Sequence, residues 1–334
     1  MPELRRDPTT GKWVIIATER ALRPTDFKSE EDITKGPLDC PFCAGHESMT
    51  PPEITAIREE GSEENKGGWL VRVVPNKFPA LKVEGELNRH GRGIYDVMNG
   101  IGAHEIIIES KDHYHSLESL PLQQVEKVIW MFRERMLDLR KDIRLKYILI
   151  FKNRGRRAGA SLEHPHSQLI ATPVLPDVVK LELDMALKYY QYKERCIYCD
   201  IVEQELETKE RLIDENEKFV SFVPFAAAMP FEIIILPKEH ISDFGQLKAN
   251  EISRLASILQ NSLMMLEKAV PSVPYNFYIH TSPLDNLSIP YYHFHIHIVP
   301  RLTQLAGFEW GSGFYINPMI PEEAANYLRK VKGV

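Results

Sequence analysis

Two Cys-x-x-Cys pairs, Cys40/Cys43 and Cys196/Cys199, use every cysteine of the chain. Each pair is followed by an isoleucine-rich run ending in Lys-acid-His, and then by a His-x-His. Glu105–His113 aligns without a gap on Glu232–His240, which marks a duplicated unit. A tight turn offers two thiolates to one ion, and two distant imidazoles can complete a tetrahedron of the kind zinc prefers. The repeat then selects Cys40, Cys43, His113 and His164 as one ligand set and Cys196, Cys199, His240 and His293 as the other. His113 is taken over His104 and His115 because it alone matches His240. Four protein ligands leave no position for water, so two structural zinc ions are expected. A redox pair is the weaker reading, since such a motif should open a helix and Pro51-Pro52 follows the first pair closely. A disulfide framework would need an oxidising compartment.

Only the first copy continues as His164-Pro165-His166-Ser167-Gln168, and it does so from the small-residue, basic loop Asn153–Glu163. Glycine and alanine let backbone amides approach phosphate oxygens, while Ser161 and the loop arginines add donors. In an extended His-x-His-x-Gln, alternate side chains share a face, so His166 and Gln168 point the same way. An imidazole is largely neutral near pH 7 and can attack phosphorus, provided its other nitrogen is held by a carbonyl. Gln168 can then donate to the transferring group without competing as a base.

These segments need a scaffold. Trp13–Thr18 reads as a strand leading to Arg20 and Arg23 on a loop. Further strands are expected at 69–74, 105–110 and 147–151, with a helix near 122–141. The second half repeats the plan, with strands at 219–223, 231–236 and 275–279 and a helix near 248–267. An amphipathic connecting helix at 176–195 separates unit 1–175 from unit 196–334. Short strands joined by hairpins, with one helix per unit, predict an α+β fold with mostly antiparallel sheets.

Composition excludes other classes. With 43 % hydrophobic and 26 % charged residues the chain suits a globular protein, and its net charge of −6 disfavours nucleic-acid or anionic-membrane binding. No apolar run reaches the roughly 18 residues of a membrane span and no signal-peptide core follows Met1, so a cytoplasmic enzyme is expected. A double-zinc nucleic-acid module would need compact ligand spacing and a basic surface.

The pattern Cys-x-x-Cys, Asp-His, then Asn153-x5-Gly159-x-Ser161-x-x-His164-Pro165-His166-x-Gln168 resembles the galactose-1-phosphate uridylyltransferase family of the histidine triad superfamily, over almost the whole chain. The resemblance implies two histidine-triad-like repeats, a uridylyl group carried on His166, and Arg20 and Arg23 as phosphate contacts. It also implies nucleotide-site roles for Asn76, Asn153, Gly159, Ser161 and Gln168, sugar contacts from Phe308 and Glu309, and a homodimer whose sites borrow residues from the partner. The implied substrates are a UDP-sugar and a sugar-1-phosphate. Ser167 replaces a glycine common in that family, and the lysine and glutamine expected near Glu309 are not evident. In Ser167 and the Gly311-Ser312-Gly313 segment the chain is similar to ADP-glucose phosphorylases, for which the acceptor would be inorganic phosphate.

Overall fold

The computed structural model describes residues 2–17 and 36–332, so Arg20 and Arg23 lie outside the described residues. In chain order the strands are β1 (Glu3–Arg6), β2 (Trp13–Ile16), β3 (Thr55–Arg58), β4 (Trp69–Pro75), β5 (His90–Arg92), β6 (Tyr95–Val97), β7 (Ala103–Ile108) and β8 (Tyr147–Arg154). They continue as β9 (His166–Thr172), β10 (Leu212–Glu215), β11 (Phe219–Phe222), β12 (Ile233–Pro237), β13 (Tyr275–His280), β14 (His295–Pro300) and β15 (Tyr315–Asn317). The helices are α1 (Leu122–Leu139), α2 (Asp177–Lys193), α3 (Ile197–Thr208), α4 (Ala249–Ala269), α5 (Gly307–Ser312) and α6 (Pro321–Lys332).

Ten strands form one sheet in the order β10-β11-β12-β14-β13-β8-β9-β7-β4-β3. Read from the central β13–β8 seam outward, both directions give the same plan: β13 answers β8, β14 answers β9, β12 answers β7. Every pairing in this sheet is antiparallel. The fold is therefore α+β, as the strand and helix pattern predicts, and a small β1–β2–β15 sheet holds its one parallel pairing at β2–β15.

Apolar spacing explains which face each helix covers. Val125, Val128, Ile129, Phe132 and Met136 form one buried stripe of α1, and Ile252, Leu255, Ala256, Leu259, Leu263 and Leu266 do the same on α4. Both stripes pack on Val71, Ile107, Ile148, Ile150, Phe277, Ile279, Ile296 and Ile298, in one core that crosses the central seam. Each such valine, leucine, isoleucine, phenylalanine or methionine contributes about 1.5–3 kcal/mol by leaving water. Pro121 fixes the backbone entering α1, and Pro271 follows the extended Val270 that ends α4.

The opposite face carries two smaller clusters, each built around one cysteine pair. Cys40, Phe42 and Cys43 pack with Trp69, Val74, Ile106 and Ile108; Cys196 and Tyr198 pack with Val220, Phe222, Ile234, Leu236 and Tyr292. The first pair sits in successive tight turns, Cys43 N–H bonding Cys40 O at 3.3 Å. The second differs from the sequence expectation: Cys196 is the N-cap of α3, so this pair does open a helix. No described helix is long and apolar enough to cross a membrane.

Candidate active site

His166 is the first residue of β9 and faces Ile108 of β7 across the ladder. Its Nδ1 lies 2.8 Å from the carbonyl oxygen of His164. A carbonyl only accepts, so Nδ1 carries the hydrogen and Nε2 keeps its lone pair. Burial pushes the imidazole pKa down to about 4, the Lys152 charge adds to this, and the His164 carbonyl bond opposes it. His166 is thus neutral near pH 7. The edge-on ring of Phe42, from the middle of the first cysteine pair, packs 5.2 Å from the His166 ring.

A buried polar clamp holds the strand from behind. The Ser167 hydroxyl donates to Glu109 Oε1 at 2.6 Å, and Lys152 Nζ reaches Glu109 Oε2 at 2.7 Å and His166 O at 3.3 Å. Glu109 N–H also donates to Pro165 O at 3.2 Å. Residues on both sides of His166 are therefore tied to Glu109, Pro165 through the Glu109 backbone N–H and Ser167 through the Glu109 carboxylate, which explains a serine at position 167. Glu109 and Lys152 did not stand out in the sequence; their alternation with apolar residues was the only signal.

Gln168 follows two residues on, its Oε1 2.9 Å from His104 Nε2. Asn76 approaches the same nitrogen, its Nδ2 at 3.1 Å. Asn153 Oδ1 accepts from Asn276 Nδ2 at 2.8 Å across the central seam. Gly159 has φ +87, a left-handed conformation that suits glycine, and caps the short turn Arg156–Ala158. The loop encloses a cavity of about 330 Å3 with Lys152, Gly155, Arg156, Ala160, Ser161 and Pro165 among its walls. One loop arginine is not the phosphate donor expected of it. Arg154 is spent on Glu118 at 3.2 Å and on Glu267.

Phe308 and Glu309 lie on α5. Phe308 is about half exposed, while the Glu309 carboxylate accepts from Ala306 N–H at 2.9 Å and so caps its own helix.

Both expected metal sets assemble. The four ligand atoms of Cys40, Cys43, His113 and His164 lie within 4.8 Å of one another, as do those of Cys196, Cys199, His240 and His293. All four cysteines are free thiols. His164 Nε2 donates to Ser110 O at 2.8 Å, which leaves Nδ1 as a lone pair 3.5 Å from Cys43 Sγ. In the second set His240 Nε2 bonds Ile289 O at 2.8 Å and its Nδ1 faces Cys199 Sγ at 3.5 Å. His293 is fully buried, and its Nδ1 has no hydrogen-bond partner among the described residues. The Cys196 thiol and the two imidazoles pull Cys199 toward thiolate against the cost of burial. These donor sets fit a soft, four-coordinate cation.

A third buried group escaped the sequence reading. Glu182 of α2 meets His280 Nδ1 at 3.0 Å and His295 Nε2 at 3.6 Å, and the three offer ligand atoms within 4.8 Å of one another. Tyr292 OH donates to the same carboxylate at 2.9 Å. Despite burial, which opposes it, the His280 and His295 imidazoles hold the Glu182 carboxyl well below its usual range. His295 repeats the geometry of His166, its Nδ1 3.0 Å from the carbonyl of His293, but its Nε2 faces Glu182. His297, opposite Tyr278 on β13, pairs instead with Glu232 at 3.3 Å. No local spacing announces this group, because α2, β13 and β14 each supply one member.

Comparison with known proteins gives consistent matches. A family model described as galactose-1-phosphate uridyl transferase, N-terminal domain, matches residues 1–176, and its C-terminal counterpart matches residues 182–331. An ADP-glucose phosphorylase of Arabidopsis thaliana is 38 % identical over 99 % of this chain and 93 % of the relative. A galactose-1-phosphate uridylyltransferase of Thermotoga maritima is 31 % identical over 99 % of each. The crystal structure of an Arabidopsis thaliana ADP-glucose phosphorylase with bound ADP-glucose superposes with a TM-score of 0.84 at 36 % identity, covering 99 % of both chains.

Proposed function

From its place in the galactose-1-phosphate uridyl transferase family, to which this chain belongs as a nucleotidyltransferase, we propose that it passes a nucleotidyl group from a sugar nucleotide through His166 to an anionic acceptor. One observation carries this reading: His166 is neutral, with Nδ1–H fixed on the His164 carbonyl and Nε2 left as a lone pair. Nε2 attacks the α-phosphorus, the bond from phosphorus to the bridging oxygen breaks, and sugar-1-phosphate leaves as a stable anion. No general acid is required. The ring then bears phosphorus on Nε2 and hydrogen on Nδ1, a cation that the His164 carbonyl stabilises. In the second half-reaction an acceptor phosphate oxygen attacks phosphorus, the P–N bond breaks, and neutral His166 returns. Gln168 donates to the equatorial oxygens, and Ser161, Asn153, Gly159 and Asn76 line the nucleotide.

The favoured donor is ADP-glucose and the favoured acceptor inorganic phosphate. The 38 % identity to an ADP-glucose phosphorylase supports this, as does the use of Glu309 as a helix cap. UDP-glucose with a hexose-1-phosphate acceptor is the second reading, favoured by the 31 % identical uridylyltransferase. In that reading Phe308 and Glu309 of a second copy contact the sugar, and the enzyme is a homodimer. Both cysteine–histidine sets are read as zinc sites; when bound, the ion locks four side chains and so fixes the His164 carbonyl that holds His166.

A single panel tests the whole. The enzyme is incubated with radiolabelled ADP-glucose or UDP-glucose, and the protein-bound label is mapped. Label on His166 is the expected result, with phosphate discharging it faster than hexose-1-phosphates. Absence of label from both donors would remove the covalent mechanism, and discharge by hexose-1-phosphate alone would select the second reading.

A further inference from the structure

The fixed orientation of the Gln168 side chain has a cause outside the residues assigned so far. The backbone N–H of Ala80 points at His104 Nδ1 over 3.1 Å. A backbone N–H can only donate, so Nδ1 must be the unprotonated nitrogen of the ring. With Nδ1 accepting, the ring hydrogen sits on Nε2, and that hydrogen needs an acceptor. Two side chains approach it. Asn76 offers Nδ2 at 3.1 Å, a donor, because Asn76 Oδ1 is already taken by Phe78 N–H at 2.9 Å. Gln168 offers Oε1 at 2.9 Å. Only Gln168 satisfies the bond, so its amide oxygen is committed to His104 and its NH2 is the end left to donate.

An amide has two nearly isosteric ends, and the unaided side chain would present either one to a bound phosphoryl group. The carbonyl end would repel a phosphoryl oxygen where the NH2 end donates to it. His104 also stands on the same sheet face as Gln168, diagonally across the β7–β9 ladder, where side chains of neighbouring strands reach each other. Its own main chain is fixed by Asn76 N–H on His104 O at 2.8 Å.

We propose that His104 is a positioning residue for nucleotidyl transfer: the chain Ala80 N–H to His104 to Gln168 sets the Gln168 amide with its NH2 toward the phosphoryl group on His166. This rests on the nucleotidyl-His166 reading. His104 does not touch the reacting atoms and acts through Gln168, although its Nε2 also lies 3.1 Å from Asn76 Nδ2. The Ala80–Asn76 turn that leads out of β4 is thereby coupled to the transfer step.

The test uses the full-length enzyme and single-turnover labelling with ADP-glucose and UDP-glucose. His104→Ala should slow formation of the nucleotidyl-enzyme roughly ten- to a hundredfold, the scale of a misplaced catalytic group, with little change in the half-saturating donor concentration. His104→Gln, which can place an amide NH2 near the position of Nε2, should recover most of the rate. Gln168→Ala alone should lose about 10²–10³-fold by analogy with deletion of an oxyanion donor. Adding His104→Ala to it should cost at most about another twofold, because the group through which His104 acts is gone. Wild-type labelling by His104→Ala, losses that multiply in the double variant, or no recovery in His104→Gln would each overturn the proposal. If the wild-type enzyme takes no label from either donor, the covalent reading fails first and this inference falls with it; label on wild type separates the two.

Discussion

Replacing Lys152 by methionine would test how the sheet holds His166, the proposed nucleophile. Lys152 and Glu109 have side chains 2 % and 0 % exposed and meet at 2.7 Å. Methionine keeps most of the aliphatic volume but leaves Glu109 buried without its counter-charge. Breaking a buried pair from one side typically costs about 3–5 kcal/mol. The Ser167 hydroxyl still donates to Glu109 Oε1. It offsets none of the loss, since that bond is present before and after. A net cost of about 3 kcal/mol is expected, at the lower end because relaxation around the remaining charge screens it. Glu109→Gln in the same chain removes the stranded charge, so the double variant should recover at least about 2 kcal/mol of the loss. Denaturant unfolding of the four proteins gives the cycle, and labelling rates read the same change at His166, whose carbonyl Lys152 also touches. A loss below about 1 kcal/mol in Lys152→Met, the value of a solvated pair, would mean that water enters behind β9 and that the clamp does not exist as a dry network.

Three further outcomes follow from the same geometry. His166→Ala should abolish covalent labelling, whereas His295→Ala should keep it and lose about 1–3 kcal/mol of stability by leaving Glu182 with one fewer partner; a label mapped to His295 would reverse the assignment. Elemental analysis should find two zinc ions per chain, and a third ion would be assigned to Glu182, His280 and His295; Cys43→Ser should reduce both metal content and labelling, while Cys199→Ser should reduce metal content and thermal stability with labelling largely kept. Glu309→Ala should leave nucleotidyl-His166 formation intact and cost about 0.5–2 kcal/mol locally by uncapping α5; loss of hexose-1-phosphate turnover with phosphate turnover retained would favour the uridylyl reading.

Much of this was legible in the sequence because duplication writes each signal twice. The alignment of Glu105–His113 with Glu232–His240 brought His113 and His240 into their metal sets, although each lies tens of residues from its cysteines. The stripes of α1 and α4 were visible because a helix buries one face at a period that local sequence records. What stayed hidden was set by contacts between distant segments. Glu182 reads as one polar residue of an amphipathic helix until α2 is laid against β13 and β14, where it meets His280 and His295. Lys152 reads as the polar half of an alternating strand, yet it is buried against Glu109, the residue just past the end of β7, two strands away. Arg154 reads as a phosphate ligand until Glu118 and Glu267 claim it. The short edge strands β3 and β10 carry too few residues for their own periodicity to be decisive.

The two halves show how one scaffold gives unequal chemistry. In each, a metal-type histidine lends its carbonyl to the Nδ1 of the histidine two residues later, His164 to His166 and His293 to His295. The bond sets the same tautomer in both, so both rings arrive with a lone pair on Nε2 if nothing else intervenes. In the second half something does: the Glu182 carboxylate faces Nε2 at 3.6 Å, Tyr198 stacks on the ring with centroids 5.2 Å apart, and Tyr292 holds the carboxylate in place. Burial still outweighs that carboxylate and lowers the His295 pKa, so this ring differs from His166 in having its Nε2 turned toward a buried acid. In the first half Phe42 supplies only an apolar edge to His166, and the nearest carboxylate, Glu109, sits behind the strand, bound to Lys152 and Ser167. Burial and the Lys152 charge keep the His166 imidazole uncharged, and with Glu109 bound behind β9 its Nε2 lone pair is left for the proposed attack on phosphorus.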